Sequence, residues 1–376
     1  MKFVHIADLH LGKTIHQYSL LDIQKQLLYQ LLDYMKKENI STLVIAGDIY
    51  DRSVPSSEAV QVLDEFLDVA VNQNHFQILM ISGNHDSQDR IHFASALLKK
   101  QGLYIETEVH KKMEPIVIDD VHFYLLPFFK PSLIRHMYQQ DSIVTYQQAF
   151  EEYFQHQDID KNQKNVLVTH QFVGKNSIQS ESEVILSVGG SEIIDNSLFE
   201  DFDYVALGHL HASQKVGRKT IRYSGSLMRY SFDEVKQEKS IVIVNTDDFS
   251  LSFHTLTPSI DLKVYQGYYL DFIKNDYISK KDDLLHIELL DGKIVPHAIE
   301  QLKRLYPHLL QLTYVHLSQY HHQVNDNMKI LETMELTDLY QQFYQTITNQ
   351  QLDEESLDII KDFIEKDGEK NETIKS

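Results

Sequence analysis

Residues 43–51 read Leu43-Val44-Ile45-Ala46-Gly47-Asp48-Ile49-Tyr50-Asp51, an apolar run closed by a glycine and an aspartate. The four apolar residues are typical of a buried β-strand, and Gly47 lets the backbone turn tightly where the strand ends. Asp48 follows directly, and its carboxylate has two oxygens that can bridge two cations. In isolation the same aspartate could cap a turn or a helix. Asp51 is better explained as a turn or supporting residue than as a ligand.

The same arrangement recurs at residues 79–86, which read Leu79-Met80-Ile81-Ser82-Gly83-Asn84-His85-Asp86. The amide oxygen of Asn84 can coordinate a hard divalent metal, while His85 could donate a proton to a leaving alkoxide. Asp86 is a candidate to orient His85, as in a carboxylate–histidine pair. The alternative is an ordinary glycine turn, since asparagine favours turns.

Three further strand ends carry side chains of the same kinds, namely Asp8 with His10, His170, and His209 with His211. We expect Asp8 and His10 to project from one extended segment, because residues i and i+2 of a strand share a face. Each motif alone is weak, since a polar strand end or a packed histidine is the ordinary explanation. The remaining histidines, His5 among them, lack such companions, and we expect them to have packing or solvent roles.

Short β-branched runs alternate with amphipathic helical stretches from residue 1 to about residue 255, which predicts a layered α/β domain. The runs are Phe3 to Ala7, Thr42 to Ala46, Ile78 to Ser82, His122 to Leu126, Val166 to Thr169, Tyr204 to Leu207 and Ser240 to Val244. Every candidate ligand follows one of them. Ligands of open α/β sheets bind at strand ends, so the pattern predicts one two-metal phosphoesterase site built from five loops.

The character of the sequence changes near Pro258. Residues 259–328 predict a small α+β domain, with strand-like runs at Leu284 to Leu289 and Leu310 to Leu317 and a helix from Ala298 to Tyr306. Residues 329–376 predict a pair of short helices, Asp338 to Thr348 and Asp353 to Lys366. Helices this short are marginal alone, so their apolar stripes need a partner surface.

The composition limits the class of protein. The 376 residues contain no cysteine, so a metal must be held by nitrogen and oxygen ligands. There is no long apolar segment or leader peptide pattern, and we expect a soluble cytoplasmic protein without a membrane partner. A net charge of -20 ordinarily argues against nucleic acid, but part of this acidity lies in the last segment. Basic residues remain near the candidate site, including Arg52, Arg90, Lys130, Lys175, Arg218, Lys219, Arg222 and Arg229.

The motif set resembles the calcineurin-like metallophosphoesterase superfamily over roughly the first 230 residues. This resemblance implies two sheets flanked by helices and a pair of divalent ions, Mn²⁺ with Mg²⁺ as the alternative. It implies ligand sets of Asp8, His10 and His211 for one ion and Asn84, His170 and His209 for the other, with Asp48 bridging. His85, supported by Asp86, would be the proton donor.

A narrower resemblance is to the SbcD family of bacterial nucleases. It is carried by His5-Ile6-Ala7-Asp8-Leu9-His10-Leu11-Gly12, by the continuation Arg52-Ser53-Val54-Pro55, by Ser87, and by Tyr223-Ser224-Gly225-Ser226. This resemblance implies a duplex DNA exonuclease and single-strand and hairpin endonuclease in repair, recombination and replication. It also implies a homodimer within a heterotetramer, an SbcC-type ATPase partner docked on residues 329–376, and a capping, DNA-binding role for residues 259–328. The dimer would form through the Val60, Leu63, Leu67 stripe and the Phe93, Leu97 region.

Other functions stay open from the residues alone. Arg52 could contact a DNA phosphate, or it could have a surface or capping role. A phosphoprotein phosphatase or small phosphodiester hydrolase would share the metal core, although such enzymes would not need the extra domain. They also commonly carry Gly-Asn-His-Glu where this chain has Asp86. A scaffold without activity is disfavoured because every ligand type is present.

Overall fold

The structure is a computed structural model that describes residues 1–174, 177–183, 193–274, 277–278 and 280–316. The strands are β1 Lys2–Ile6, β2 Thr14–Ile15, β3 Tyr18–Ser19, β4 Thr42–Ala46, β5 Gln77–Ile81, β6 Leu103–Glu106, β7 Ile116–Ile118, β8 Val121–Leu126, β9 Lys164–His170, β10 Tyr204–Gly208, β11 Gln214–Val216, β12 Arg218–Tyr223, β13 Ile241–Asn245, β14 Ser250–His254, β15 Leu262–Gly267, β16 Leu284–Leu289 and β17 Leu309–Tyr314. The α-helices are α1 Leu21–Lys37, α2 Ser57–Asp68, α3 Gln88–His92, α4 Ser95–Leu98, α5 Pro131–Tyr138, α6 Tyr146–Gln155, α7 Tyr269–Ile273 and α8 Ala298–Leu305. Shorter helical turns are the π-helix Val69–Gln73 and the 3-10 helices Lys99–Gln101, Asn196–Phe199 and Phe232–Lys236.

The first large sheet has the strand order β14-β13-β1-β4-β5-β6. Strands β1, β4, β5 and β6 run parallel, whereas β13 is antiparallel to β1 and β14 is antiparallel to β13. Ile6 pairs with Ile45, and Ala46 pairs with Ile81. The carboxyl ends of β1, β4 and β5 are therefore level, and the loops that follow them start side by side.

The second large sheet has the strand order β11-β12-β10-β9-β8-β7. Its strands β8, β9, β10 and β12 run parallel, with β7 and β11 as antiparallel edges. In the register of β9 and β10, His170 pairs with Gly208. The strand register therefore places His170 beside Gly208, the residue that precedes the candidate ligand His209.

The two sheets pack face to face between layers of helices. Alternate residues of β1 point to opposite faces. Phe3 and Ala7 belong to the core between the sheets, while Val4 and Ile6 belong to the core that includes α1 and α2. A third core, which includes Phe150 of α6, covers the outer face of the second sheet. The predicted α/β fold, with two sheets flanked by helices, is confirmed.

Helix α1 supports both the core and the loop after β1. Its stripe Leu27, Leu28, Leu31, Leu32 and Met35 is buried, as the leucine spacing predicts for a helix packed on a sheet. The same helix buries Gln24, whose side-chain amide donates to Leu9 O at 2.9 Å and to His10 O at 2.8 Å. These bonds hold the loop after β1, so α1 positions the candidate site as well as the core.

The region after Pro258 contains a small sheet of order β15-β16-β17. Strands β16 and β17 and helix α8 correspond to the elements predicted there, whereas β15 and α7 were missed. By contacts the described chain divides into two compact units: the first has residues up to 265 with 280–286 and 306–310, and the second has 266–274, 277–278, 287–305 and 311–316. The predicted boundaries after residues 258 and 328 stay predictions.

The predicted helix pair at residues 338–348 and 353–366 lies outside the described residues. Among the residues that are described, no helix combines the length and apolar character needed to span a membrane.

Candidate metal centre

The candidate site lies where the carboxyl ends of the parallel strands of both sheets meet. Asp8 and His10 follow β1, Asp48 follows β4, Asn84 and His85 follow β5, His170 ends β9, and His209 and His211 follow β10. Apart from Asn84 and His85, which are half-buried, these side chains are almost inaccessible to solvent. The structure therefore brings all the sequence-predicted ligand candidates into one place.

Several of these residues have a positive φ angle, a backbone conformation that residues other than glycine rarely adopt. The φ angles are 54° at Asp8, 43° at His10, 50° at Asp48 and 105° at His209. The expectation that Asp8 and His10 project from an extended segment is therefore wrong, because β1 ends at Ile6 and both residues are in the left-handed region. The two side chains still meet, but through a tight turn. Strained backbone of this kind concentrates at functional sites.

Two glycines allow the loops to approach closely. Gly47 has a φ of 85°, and a Cβ there would lie 2.4 Å from His170 Nδ1. A Cβ on Gly208 would lie 1.8 Å from Ala46 O and 2.7 Å from His170 Nδ1. The first sheet and the second sheet therefore touch at a point where no side chain fits.

The potential ligand atoms face one another in two sets that share Asp48. In one set, His10 Nε2 lies 3.1 Å from His211 Nε2. In the other, Asn84 Oδ1 lies 3.0 Å from His170 Nε2 and 3.1 Å from His209 Nδ1. Asp48 is the common neighbour, because its Oδ2 lies 3.5 Å from His10 Nε2 and 3.4 Å from His170 Nε2.

Asp8 completes the first set and carries a strong indication of a cation. Its Oδ1 accepts a hydrogen bond from the backbone N–H of His209 at 2.9 Å, but Oδ2 is buried and has no hydrogen-bond partner. Ligand atoms of Asp8, His10 and His211 lie within 4.8 Å of one another, as do those of Asp8, Asp48 and His170. An unpartnered carboxylate oxygen is costly to bury, so this donor set fits bound divalent metal.

Protonation states in the cluster are set by burial and by the carboxylates. Burial lowers the pKa of His209 to about 3, and it also lowers the pKa of His10 and of His211, so these imidazoles are neutral. Burial opposes a charge on His170, but Asp48 and Asp8 raise its pKa to about 9. Burial likewise opposes ionisation of Asp48, yet His170 holds the pKa of that carboxyl well below its usual value. A cation would displace the His170 proton, because metal ligands must be deprotonated.

His85 lies at the rim of this cluster. Its Nδ1–H donates to Asp51 O at 3.0 Å, and its backbone N–H donates to Asp48 Oδ1 at 3.0 Å. Its ring stands perpendicular to that of His10, with the ring centroids 4.8 Å apart. The second ring nitrogen, Nε2, takes no part in these contacts.

The expected pairing of Asp86 with His85 is wrong. The Asp86 carboxylate accepts hydrogen bonds from the backbone N–H groups of Ile49, Tyr50 and Gly83, at 3.0, 3.0 and 2.8 Å. It therefore joins the loops after β4 and β5, and the backbone carbonyl of Asp51 takes the role of orienting His85. Burial and nearby Asp48 raise the pKa of Asp86 to about 6.

Among the basic residues named from the sequence, Arg52 is exposed, whereas Arg222 and Arg229 make intramolecular contacts. The Arg52 side chain is 76% exposed, and its Nε lies 3.7 Å from Asp51 Oδ2, so it is at the rim but makes no close bond. Arg229 Nη1 contacts Asp261 Oδ2 at 2.5 Å, and Arg222 lies over the ring of Phe253. Those two arginines are committed to intramolecular contacts. Lys175 lies outside the described residues.

The sequence did not predict the residues that contact His211 Nδ1 and the His211 backbone N–H. Glu234 Oε1 lies 3.1 Å from His211 Nδ1, Ser182 Oγ lies 2.6 Å from the same nitrogen, and Lys239 Nζ contacts Glu234 Oε2 at 2.7 Å. Glu183 accepts from the His211 backbone N–H at 2.6 Å, and burial raises the pKa of Glu183 to about 7. These residues follow no strand or glycine motif, so no pattern in the sequence identifies them.

Comparison with known proteins agrees with this geometry. A sequence model of the calcineurin-like phosphoesterase family matches residues 1–213. Two curated relatives, both named as the D component of the nuclease SbcCD, are 35% identical to this chain. The one from Staphylococcus saprophyticus aligns over 360 residues, 94% of either chain, and the one from Staphylococcus epidermidis over 367 residues, 96% of this chain and 97% of its own.

Among solved structures, a protein of Thermus thermophilus aligns with a TM-score of 0.40 and 10% identity, over 68% of this chain and 98% of its own. That likeness is too low to add to the assignment, which rests on the sequence matches. The predictions of a phosphate-ester hydrolase and of the SbcD resemblance are confirmed. The chain therefore belongs to the calcineurin-like phosphoesterase family and, within it, to the SbcD nucleases.

Proposed function

We propose that this chain is a two-metal DNA nuclease that works with an SbcC-type ATPase subunit. It would act as an exonuclease on duplex DNA and as an endonuclease on single strands and hairpins, in DNA repair, recombination and replication. The observation that carries the proposal is the pair of ligand sets that share Asp48, with the unpartnered buried oxygen of Asp8 beside them. The relatives' name, which calls them part of the SbcCD nuclease, supports the substrate class.

We assign the proposed ions to the residues of the two ligand sets. One ion would be held by Asp8, His10 and His211, the other by Asn84, His170 and His209, and both by Asp48. A pair of divalent ions supplies Lewis-acid activation of water and neutralises charge on the phosphodiester in an in-line displacement. Four imidazoles are unusual partners for Mg²⁺, which prefers oxygen ligands, so Mn²⁺ is the proposed ion and Mg²⁺ the alternative.

The chain's own groups then position the phosphate and move the proton. Asp51 O fixes the proton of His85 on Nδ1, so Nε2 is the atom that would protonate the leaving oxygen once the ring is charged. Asp86 holds the two loops that carry Asp48 and His85 through three backbone N–H groups. It is thus proposed as a positioning residue. Arg52, exposed at the rim, is the proposed contact for a DNA phosphate.

The proposed assembly is a homodimer within a heterotetramer in the cytoplasm. Large apolar side chains close to helices α2, α3 and α4 support a dimer surface: Val60 is 44% exposed, Phe93 81% and Leu97 71%. Leu63, by contrast, is buried and belongs to the core. Residues 259–328 are proposed to cap the site and bind DNA, and residues 329–376 to dock on the ATPase, as a chain with net charge -20 would need help to hold DNA.

The test is a substrate panel with the purified full chain. Labelled duplex and hairpin DNA, an aryl phosphodiester and a phosphoserine peptide are each incubated with Mn²⁺, and again after chelation. We expect Mn²⁺-dependent cleavage of both DNAs. Turnover of the phosphopeptide with both DNAs intact, even after the ATPase subunit is added, would identify a phosphatase instead.

A further inference from the structure

The two ring nitrogens of His211 face different partners. Nε2 points to the candidate ligand His10, 3.1 Å away, whereas Nδ1 faces Ser182 Oγ at 2.6 Å and Glu234 Oε1 at 3.1 Å. The ring itself is buried, with 1% of the residue exposed. The protein itself satisfies Nδ1, because two of its acceptors lie within bonding distance.

Both acceptors place the His211 proton on Nδ1. A carboxylate only accepts hydrogen bonds, so a contact with Glu234 requires Nδ1–H. The Ser182 hydroxyl donates to Glu234 Oε1 at 2.5 Å, which leaves its oxygen to accept from His211. Either route leaves Nε2 with a free lone pair directed at the ligand set of Asp8 and His10.

The Glu234 carboxylate lies in a buried pocket of hydrogen-bond donors. This carboxylate is completely buried and receives hydrogen bonds from Ser180 Oγ at 3.1 Å, Ser231 Oγ at 3.1 Å and the backbone N–H of Tyr230 at 3.2 Å. Lys239 balances its charge at 2.7 Å and also donates to His211 O at 2.8 Å. A buried carboxylate is costly unless it is paired in this way, and here the pair is directed at one histidine.

His170, one of the two histidines of the other ligand set, has a different partner. His170 Nδ1–H donates to the backbone carbonyl of Ala46 at 2.8 Å, a neutral acceptor. A carboxylate partner raises the basicity of an imidazole ligand and fixes its ring orientation. His211 and His170 therefore have different kinds of partner at Nδ1.

We propose that Glu234 is a positioning residue that holds His211 with Nε2 free and strengthens its affinity for the ion shared with Asp8 and His10. Lys239 keeps the buried carboxylate in place, and Ser182 relays the hydrogen bond. This inference rests on the proposed two-metal function.

The test is the Glu234→Gln variant of the full chain, in which the amide retains the shape of the side chain but loses its charge. Mn²⁺ binding is titrated by the electron paramagnetic resonance signal of the free ion. We expect the wild-type chain to bind two equivalents and the variant to bind one of them about 10–100-fold more weakly. His211→Ala identifies the affected equivalent, because it should weaken the same one.

A matched control and a double variant separate positioning from folding. Glu238, exposed on the same segment, is replaced by Gln and should leave both affinities unchanged. The double variant Glu234→Gln with Lys239→Met removes the uncompensated lysine and gives a neutral pocket if the single variant does not fold. It should keep the weakened equivalent.

The outcomes distinguish the two levels of the proposal. Wild-type affinity for both equivalents in folded Glu234→Gln, or its full recovery in the double variant, would overturn the positioning role and leave the metal ligands intact. A wild-type chain that binds fewer than two equivalents would instead contradict the two-metal function itself.

Discussion

The proposed ligands are held by backbone bonds as much as by their own contacts. Asp8 N–H donates to Gly47 O at 3.1 Å, and His10 N–H donates to Asp48 O at 3.0 Å. His209 N–H donates to the Asp8 carboxylate at 2.9 Å. Left-handed conformations at such residues cost about 1–3 kcal/mol each, and these bonds offset that cost. These bonds therefore fix the loops that carry the candidate ligands.

A single substitution can distinguish the proposed proton donor, His85, from the proposed metal ligands. Replacing His85 by Ala should lower DNA cleavage by about 10²–10⁴-fold, because the general acid is lost. Mn²⁺ stoichiometry should not change, since Nδ1 is bonded to Asp51 O. Exposed His110, replaced by Ala, serves as the control for both cleavage and metal titration. A parallel fall in metal occupancy would reassign His85 as a ligand.

Gly208 gives a second prediction for a single residue. An alanine Cβ would clash with Ala46 O and His170 Nδ1, so the two sheets would have to separate at the site. Gly208→Ala should lower the free energy of unfolding by about 1–3 kcal/mol and weaken Mn²⁺ binding. Gly292→Ala is the matched control, because a Cβ there has nothing within 4 Å. Urea unfolding and metal titration check both, and equal behaviour of the two variants would contradict the prediction.

Buried His5 gives a pH dependence with a defined sign. Burial, with a further contribution from Arg222, lowers its pKa from 6.5 to about 3. Between pH 6.5 and pH 3 the unfolded chain binds this proton and the folded chain does not. The contribution of neutral His5 to the free energy of unfolding is therefore fully present above pH 6.5. It is lost as the pH falls toward 3, by about 1.4 kcal/mol per pH unit.

His5→Gln should remove that part of the slope when metal-free protein is unfolded with urea between about pH 7 and about pH 4. If His5→Gln and the wild type lose stability in parallel, some other group carries the acid sensitivity.

At the scale of elements, the cap of α6 has a measurable role. Thr145 Oγ1 accepts from Gln148 N–H at 3.2 Å, and the Gln148 side chain accepts from Thr145 N–H at 3.1 Å. Thr145→Ala should cost about 0.5–2 kcal/mol of unfolding free energy, whereas Thr145→Ser retains the hydroxyl and should cost little. Thermal unfolding of the pair checks this. An equal loss in both would attribute the effect to packing of the threonine methyl group.

Elements were predictable where burial imposed a pattern. The run Thr42 to Ala46 coincides with β4, because every residue in it is buried and apolar or small. Strand β14 gave no signal, since it lies at a sheet edge and exposes Ser250, Ser252 and Phe253. Strand β12 begins with polar Arg218 and Lys219 and was missed because its first residues are exposed. Exposed strand segments lack the apolar alternation on which sequence reading depends.

Side-chain partners in the site were less predictable than its ligands. Ligand candidates stand beside glycines at strand ends, so local sequence reveals them. The partners of Asp86 and the location of Glu234 depend on which loops fold together. Glu234 lies 23 residues from His211 in sequence, and nothing in either segment indicates the contact. Tertiary packing alone brings them within 3.1 Å.

For the whole molecule, we expect residues 329–376 to bind the ATPase subunit and to take no part in phosphodiester hydrolysis. Ile360 lies on the predicted apolar stripe Leu357, Ile360, Ile364, and Ile360→Asp should abolish co-purification with the ATPase subunit. Mn²⁺-dependent hydrolysis of an aryl phosphodiester should remain. Asp362→Asn is the control within the same predicted helix. Undiminished binding by Ile360→Asp would move the docking surface elsewhere.

The position of β1 in its sheet sets the order in which the molecule can be completed as it is made. β1 lies between β4 and β13, with Phe3 paired to Val244, so one side of the first strand stays unpaired until β13 has been synthesised. Asp8 and the residue that binds it, His209, are 201 positions apart. A polypeptide that ends before His209 therefore lacks two of the candidate ligands, His209 and His211. The candidate centre can therefore form only after the chain has been synthesised as far as His211, the last of its candidate ligands.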